Sequence, residues 1–235
     1  IKVEKGTYKI RPINSQFFNQ KGEGLYVLKP FAEKPIFDIK YKVLGFDVAK
    51  LFHTFMEDTV LTGKMDLDLA FTFAGNDWKE IKQTLDGRLL INGKDLTLYG
   101  IDLDKVIDRF KRSQHFTLVD VGAVLLMGPA GILVTKGSDI ASMIVLNHGE
   151  SCHVVELSSD WEVDDGMVNL VDVAFTTNEN RLAARGGISL ITDRLNIDIA
   201  LLNEKGCSLY SQSITGDLHE PDMGKVKVMK SLLAP

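Results

Sequence analysis

Strict two-residue alternation is the feature that most constrains how this chain can fold. In segment 64–73, Met65, Leu67, Leu69, Phe71 and Phe73 fall on one side, and Lys64, Asp66, Asp68, Ala70 and Thr72 on the other. Successive side chains of an extended strand point to opposite faces, so this division predicts a strand with one dry and one wet face. Phe37, Ile39, Tyr41 and Val43 repeat the pattern against Asp38, Lys40 and Lys42. Leu195, Ile197, Ile199 and Leu201 repeat it against Asn196 and Asp198. Weaker alternation over 25–28, 89–98, 154–161, 168–175, 183–191 and 209–214 predicts further strands. Asp86-Gly87, Asn92-Gly93, Asp165-Gly166, Gly186-Gly187 and Lys205-Gly206 read as turns between them. From about Cys152 onward no helical period intervenes. The short spacings there predict antiparallel hairpins in a meander, and one-sided alternation is what such a sheet shows when only one face is dry.

Helical signals are few and short. Val48, Leu51, Phe52 and Phe55 follow a helical spacing after Asp47, a residue suited to cap a helix start. Trp78, Ile81 and Leu85 form a second apolar stripe after Asn76 and Asp77, and Val106, Ile107 and Phe110 a third after Asp102. Segment 116–127 is a fourth candidate, ended by Gly128-Pro129. Segments 46–55 and 101–110 also align with each other, with Gly45 matching Gly100, Tyr41 matching Leu96 and Val43 matching Leu98. One supersecondary unit, a strand followed by a glycine and a capped helix, is therefore expected twice.

The 235 residues carry 27 basic and 32 acidic side chains, a net charge of −5, with 45% hydrophobic residues. That supports a sizeable core and argues against nucleic acid, which calls for concentrated Lys and Arg. The longest uncharged run, 121–135, contains Gly122, Gly128, Pro129 and Gly131. It is shorter than the roughly 20 apolar residues of a membrane-spanning helix.

Signatures of catalysis are wanting. Segment 187–191, Gly-Ile-Ser-Leu-Ile, lacks the final glycine of a nucleophile elbow. Segment 131–138 has no glycine before Lys136 and so does not read as a phosphate-binding loop. His53, His115, His148, His153 and His219 form no helical metal-binding pair. Asp102 and Asp104, like Asp160, Asp164 and Asp165, stand where Asp caps helices or shapes turns. The expectation is a non-enzymatic chain with no metal and no cofactor. Cys152 and Cys207 could meet as a disulfide or serve as two small apolar residues, and spacing alone leaves both open.

Segment 86–107 carries a family likeness. Asp86-Gly87-Arg88-Leu89-Leu90-Ile91, then Asp95-Leu96-Thr97-Leu98, then Gly100-Ile101-Asp102-Leu103-Asp104-Lys105-Val106-Ile107, resembles the C-terminal region of the AsmA family. Segments 118–131, 161–168 and 214–221 are similar to later parts of that region, so the likeness covers roughly 40–225. It rests on turn and cap signatures and brings no catalytic residue. It implies a periplasmic protein of Gram-negative bacteria, held to the inner membrane by an anchor outside this sequence. It also implies kinship with TamB and the bridge-like lipid transfer proteins, whose sheets curl into apolar grooves along which phospholipid passes.

Periodicity and resemblance together predict an α+β, β-dominated fold. The expected form is a highly curved antiparallel sheet, groove-like or a half-barrel, with three or four short helices at its ends. One domain is expected over 1–235, with a repeat-bearing half, 1–113, and a meander half, 114–235. The candidate groove lining is Leu67, Leu69, Phe71, Phe73, Leu96, Leu98, Ile197, Ile199 and Leu201. Its expected ligand is phospholipid or another acyl chain. The same stripes would serve equally as a sealed core. An envelope protein partner, with the chain acting as an assembly scaffold, is the alternative to lipid.

Overall fold

A computed structural model describes residues 1–11, 15–18, 20–54, 59–100, 102–113, 151–218, 220–225 and 227–228. The expected fourth helix at 116–127, the segment 131–138, Phe55, Ile101, His115, His148 and His219 lie outside these residues. The alternating segments become the long strands of one sheet. They are β4 (Gln20–Lys29), β5 (Ile36–Asp47), β6 (Leu61–Ala74), β7 (Asp86–Tyr99), β8 (Ser151–Asp164), β9 (Met167–Thr177), β10 (Arg181–Ser189), β11 (Arg194–Leu202) and β12 (Ser208–Asp217). Short strands β1 (Lys2–Glu4), β2 (Thr7–Ile10), β3 (Ser15–Phe17), β13 (Pro221–Met223) and β14 (Lys227–Val228) complete it. Every pairing is antiparallel, in the order β1-β2-β4-β5-β6-β7-β8-β9-β10-β11-β12-β13, with β3 also on β4 and β14 also on β12. The sheet is open, curved and continuous across the two halves, because β7 pairs with β8 from Gly87↔Val163 to Tyr99↔Ser151.

Register converts the stripes of separate strands into rows across one face. One row runs Tyr41, Leu69, Leu89, Trp161, Leu170, Gly186, Ile197, Ile214. Another runs Val43, Leu67, Ile91, Ser159, Val173, Ala184, Ile199, Gln212. These rows form one contiguous core with the buried helix residues Val48, Phe52, Leu103 and Ile107. Each fully buried Leu, Ile, Phe or Met contributes about 1.5–3 kcal/mol. The polar residues in the row are satisfied: Trp161 Nε1 donates to Ser159 Oγ at 2.6 Å and Gln212 Nε2 to the Gly224 carbonyl at 2.8 Å.

Three helices are described: α1 (Val48–Phe52), α2 (Trp78–Gln83) and α3 (Leu103–Ser113). Asp47 accepts from Ala49 N at 3.1 Å, Asp77 from Glu80 N at 2.9 Å and Asp102 from Lys105 N at 3.1 Å, so the expected caps form. The internal repeat is structural. Gly45 and Gly100 both have positive φ, Val48 and Leu103 are both fully buried, and so are Phe52 and Ile107 within a few per cent. α1 and α3 thus close the same end of the curl. The stripe expected on α2 does not pack. Trp78 is 67% exposed, no α2 residue is buried, and Leu85 lies beyond the helix. A helix this short is held instead by polar contacts, chiefly its Asp77 cap and the Lys34–Glu80 ion pair at 3.0 Å.

Three glycine pairs read as turns are not turns. Asp86-Gly87, Asn92-Gly93 and Gly186-Gly187 lie inside β7 and β10, whereas Asp165-Gly166 and Lys205-Gly206 do form turns. Gly87 (φ +148°), near the start of β7, and Gly186 (φ +123°), within β10, adopt backbone conformations that side chains disfavour. A Cβ at Gly87 would lie 2.0 Å from the Ala70 carbonyl oxygen, and one at Gly186 2.1 Å from that of Asn196. The glycines permit close strand approach, and at Gly186 the register shifts by a bulge between Ala184 and Gly186.

Candidate functional site

The nine candidate lining residues divide by depth. Ile197, Ile199 and Leu201 on β11 are at most 1% exposed, and Leu67, Leu96 and Leu98 are also buried. An open channel wide enough for an acyl chain would admit water, so these six belong to the sealed part of the core. Leu69, Phe71 and Phe73 on β6 are only half-buried. The rows containing them extend toward the end opposite α1 and α3. Leu28, Phe37 and Phe73 align there, as do Ile10, Tyr26, Ile39 and Phe71. All of these side chains are half-buried.

This strip is built by pairing rather than by any single strand. The Phe37 and Phe73 rings stack with centroids 4.9 Å apart and planes 17° apart. Phe71 stands opposite Gly87, and its ring occupies the space that a Cβ there would take, 2.7 Å from Phe71 Cδ1. Tyr41 similarly covers Gly22 and Gly24 of β4, and its hydroxyl lies 3.3 Å from Ser15 Oγ. The apolar face is thus buried at the α1–α3 end and only half-buried over β4–β7 at the other, where Val168 of β9 and Ile188 of β10 are half-buried as well. Phe37, Ile39, Tyr26 and Leu28 were not singled out from sequence as lining, although their alternation marks the same stripe. Only the pairing register shows that they extend it.

The outer face is polar and its charges are largely paired. Arg88 Nε donates to Asp160 Oδ1 at 2.7 Å and its Nη2 to Oδ2, which holds the guanidinium pKa above its ordinary value. Asp160 is therefore a buried mid-strand partner of arginine, not a turn residue as its neighbours suggested. A depression of about 380 Å³ on this face includes Asp66, Asn92, Lys94, Glu156, Ser158 and Asp172 in its lining. Lys94 pairs with Glu156 at 3.3 Å, and Ser158 donates to Asp172 at 3.0 Å.

The titratable candidates take part in local hydrogen bonds. His53 Nε2 lies 3.1 Å from Thr59 Oγ1, and His153 Nδ1 3.3 Å from Asn178 Oδ1. Asp104 accepts from Thr177 Oγ1 and Asn180 Nδ2. Among the described residues no group of three His, Cys, Asp or Glu side chains is placed to hold a metal ion. Cys152 is buried and Cys207 exposed, and both are free thiols, so no disulfide joins them. Burial pushes the Cys152 thiol up to about 11, against the opposing pull of the Leu103 and Asp104 backbone N–H groups. No described helix is long and apolar enough to cross a membrane.

The fold and its accessible strip define an open, curled antiparallel sheet with one apolar face. Comparisons with protein-family models, with curated proteins and with solved structures find no match.

Proposed function

We propose that this chain handles phospholipid, or another acyl-chain ligand, as a non-enzymatic periplasmic protein. In this reading it is held to the inner membrane by a segment outside this sequence and handles lipid between the inner and outer membranes. The observation that carries the proposal is the continuity of the apolar rows from the sealed core into the half-exposed strip of Tyr26, Leu28, Phe37, Ile39, Phe71 and Phe73. A curved sheet leaves such a strip unpartnered only at a cost, and an acyl chain laid along it removes that cost. Each methylene buried contributes about 0.8 kcal/mol without any directional contact, which suits a ligand that must also leave. The family resemblance of segment 86–107 supplies the compartment of the proposal. The assembly-scaffold alternative draws less support. The outermost positions carry strands of two to four residues, a poor template for strand addition by a partner.

Organic extraction of the purified protein followed by mass spectrometry tests the proposal. Phospholipid is expected at close to stoichiometric amounts, and Phe71→Asp is expected to lose most of it while still unfolding cooperatively. Ile199→Asp should instead unfold the protein, because an uncompensated charge in the sealed core costs several kcal/mol. Clean absence of lipid from the wild type, or full retention by Phe71→Asp, would sink the reading.

A further inference from the structure

Burial of the inner face changes along five strands, and in the same sense on each. Val43 is buried and Phe37 half-buried on β5, and Met65 and Phe73 stand in the same relation on β6. So do Leu98 and Leu89 on β7, Phe175 and Val168 on β9, and Leu182 and Ile188 on β10. The half-buried members of all five pairs lie at one end of the sheet, beside the β4–β5, β6–β7, β8–β9 and β10–β11 turns. The buried members lie at the other end, where Val48 and Phe52 of α1 and Leu103 and Ile107 of α3 join them in the core. The curled face is therefore a one-ended cup, with its mouth at those turns and its closed end at the two helices.

The depth of the mouth can be read along β6. Its half-buried run from Leu69 to Phe73 is about 13 Å long at about 3.3 Å per residue. Trp161 marks the inner limit: it is buried and pairs across from Leu89, which pairs across from Leu69. One row deeper, Leu67 and Ile91 are buried as well. An acyl chain that enters with its methyl end leading meets mainly apolar side chains down to the level of Trp161. A headgroup that led would be stripped of water among the same side chains, which is far more costly. Chain in and headgroup out is the one orientation that this gradient of burial favours.

We infer that this face takes an acyl chain methyl end first through the mouth, that the chain stops at the level of Trp161, and that it enters and leaves by the same end. The inference rests on the lipid-handling reading and adds that lipid does not run through this sheet from end to end. Tryptophan quenching by brominated lysophosphatidylcholine tests it. The chain has two tryptophans, and Trp78 is exposed, so Trp78→Phe should keep the fold and leave Trp161 as the sole reporter. Bromines near the methyl end should remove most of the Trp161 fluorescence, and bromines near the ester should remove little. With unbrominated lysophosphatidylcholine, affinity should rise about fourfold per added methylene and level off once the chain exceeds the depth of the mouth. Equal quenching from the two positions, stronger quenching from the ester end, binding with no quenching, or affinity that climbs evenly to the longest chain would each overturn the one-ended cup while leaving lipid binding in place. Protein that binds none of these lipids would overturn the cup and the lipid-handling reading together.

Discussion

Asp104 Oδ1 accepts a hydrogen bond from Asn180 Nδ2 at 2.6 Å, joining the first turn of α3 to the β9–β10 turn, 76 residues away in sequence. Thr177 Oγ1 donates to the same oxygen at 2.5 Å, and Lys111 Nζ closes the set on Asn180 Oδ1 at 2.9 Å. Asn180 and Thr177 are both buried. Asp104→Ala would leave the Asn180 amide without this acceptor in a dry setting, while the Thr177 hydroxyl keeps the Asn180 carbonyl at 3.2 Å. We expect it to lower stability by about 1–3 kcal/mol, read as a lower urea midpoint with an unchanged slope. A loss under a few tenths would mean that α3 is held by Leu103 and Ile107 alone.

Gly186 and Gly206 separate conformation from space. Both have positive φ, but a Cβ on Gly186 would press on the Asn196 backbone, whereas nothing lies within 4 Å of one on Gly206. Gly206→Ala should cost about 1 kcal/mol for the left-handed backbone alone. Gly186→Ala should cost about 2–4 kcal/mol, because strain and overpacking add. Equal losses in chemical denaturation would refute the role given to close strand approach at Gly186.

The two thiols should react in very different ways. Cys207 is exposed and should be labelled at once by a thiol reagent at neutral pH. Cys152, buried and with its pKa pushed up to about 11, should react only as the protein unfolds. Ellman's reagent should therefore count one thiol in native protein and both in denaturant. A second thiol labelled rapidly under native conditions would contradict the sealed core at β8.

Acid should weaken the β10–β11–β12 region through Asp198. The Ser213 hydroxyl, donating at 2.6 Å, and the Arg185 guanidinium at 3.2 Å hold its carboxyl below the ordinary value of 3.8. A carboxylate with a depressed folded pKa contributes stability that is fully present above the unfolded value. That stability is lost as pH falls from there through the folded one. Thermal denaturation of wild type should thus steepen its loss below about pH 4, and Asp198→Asn should flatten that limb while lowering stability at neutral pH. An Asp198→Asn profile parallel to wild type would show that the acid limb arises elsewhere.

Much of this architecture was legible in the residues, for a local reason. Alternation such as that of 64–73 and 195–201 dictates strand and facing side, because it depends only on backbone geometry. Asp47, Asp77 and Asp102 announced three helix starts for the same reason, since a cap acts within its own turn. The repeat of 46–55 at 101–110 held for Gly45 and Gly100 and for their paired buried side chains. Asn92-Gly93 misled because a glycine in a strand and a glycine in a turn look alike until the neighbouring strand is known. Trp78 misled because apolar spacing on a short helix does not guarantee a surface to pack against.

What the sequence alone determined is which residues are strand, which face is apolar, and that an antiparallel sheet would join them. Only the tertiary structure decided how deep each apolar residue lies. Ile199 and Phe71 carry the same alternating signature, yet one is sealed and the other half-exposed. Depth depends on what stands across the curve of the sheet, which is set by register, by the close strand approach at Gly87 and Gly186, and by helices closing one end. Those are relations between residues far apart in the chain, so no local pattern encodes them.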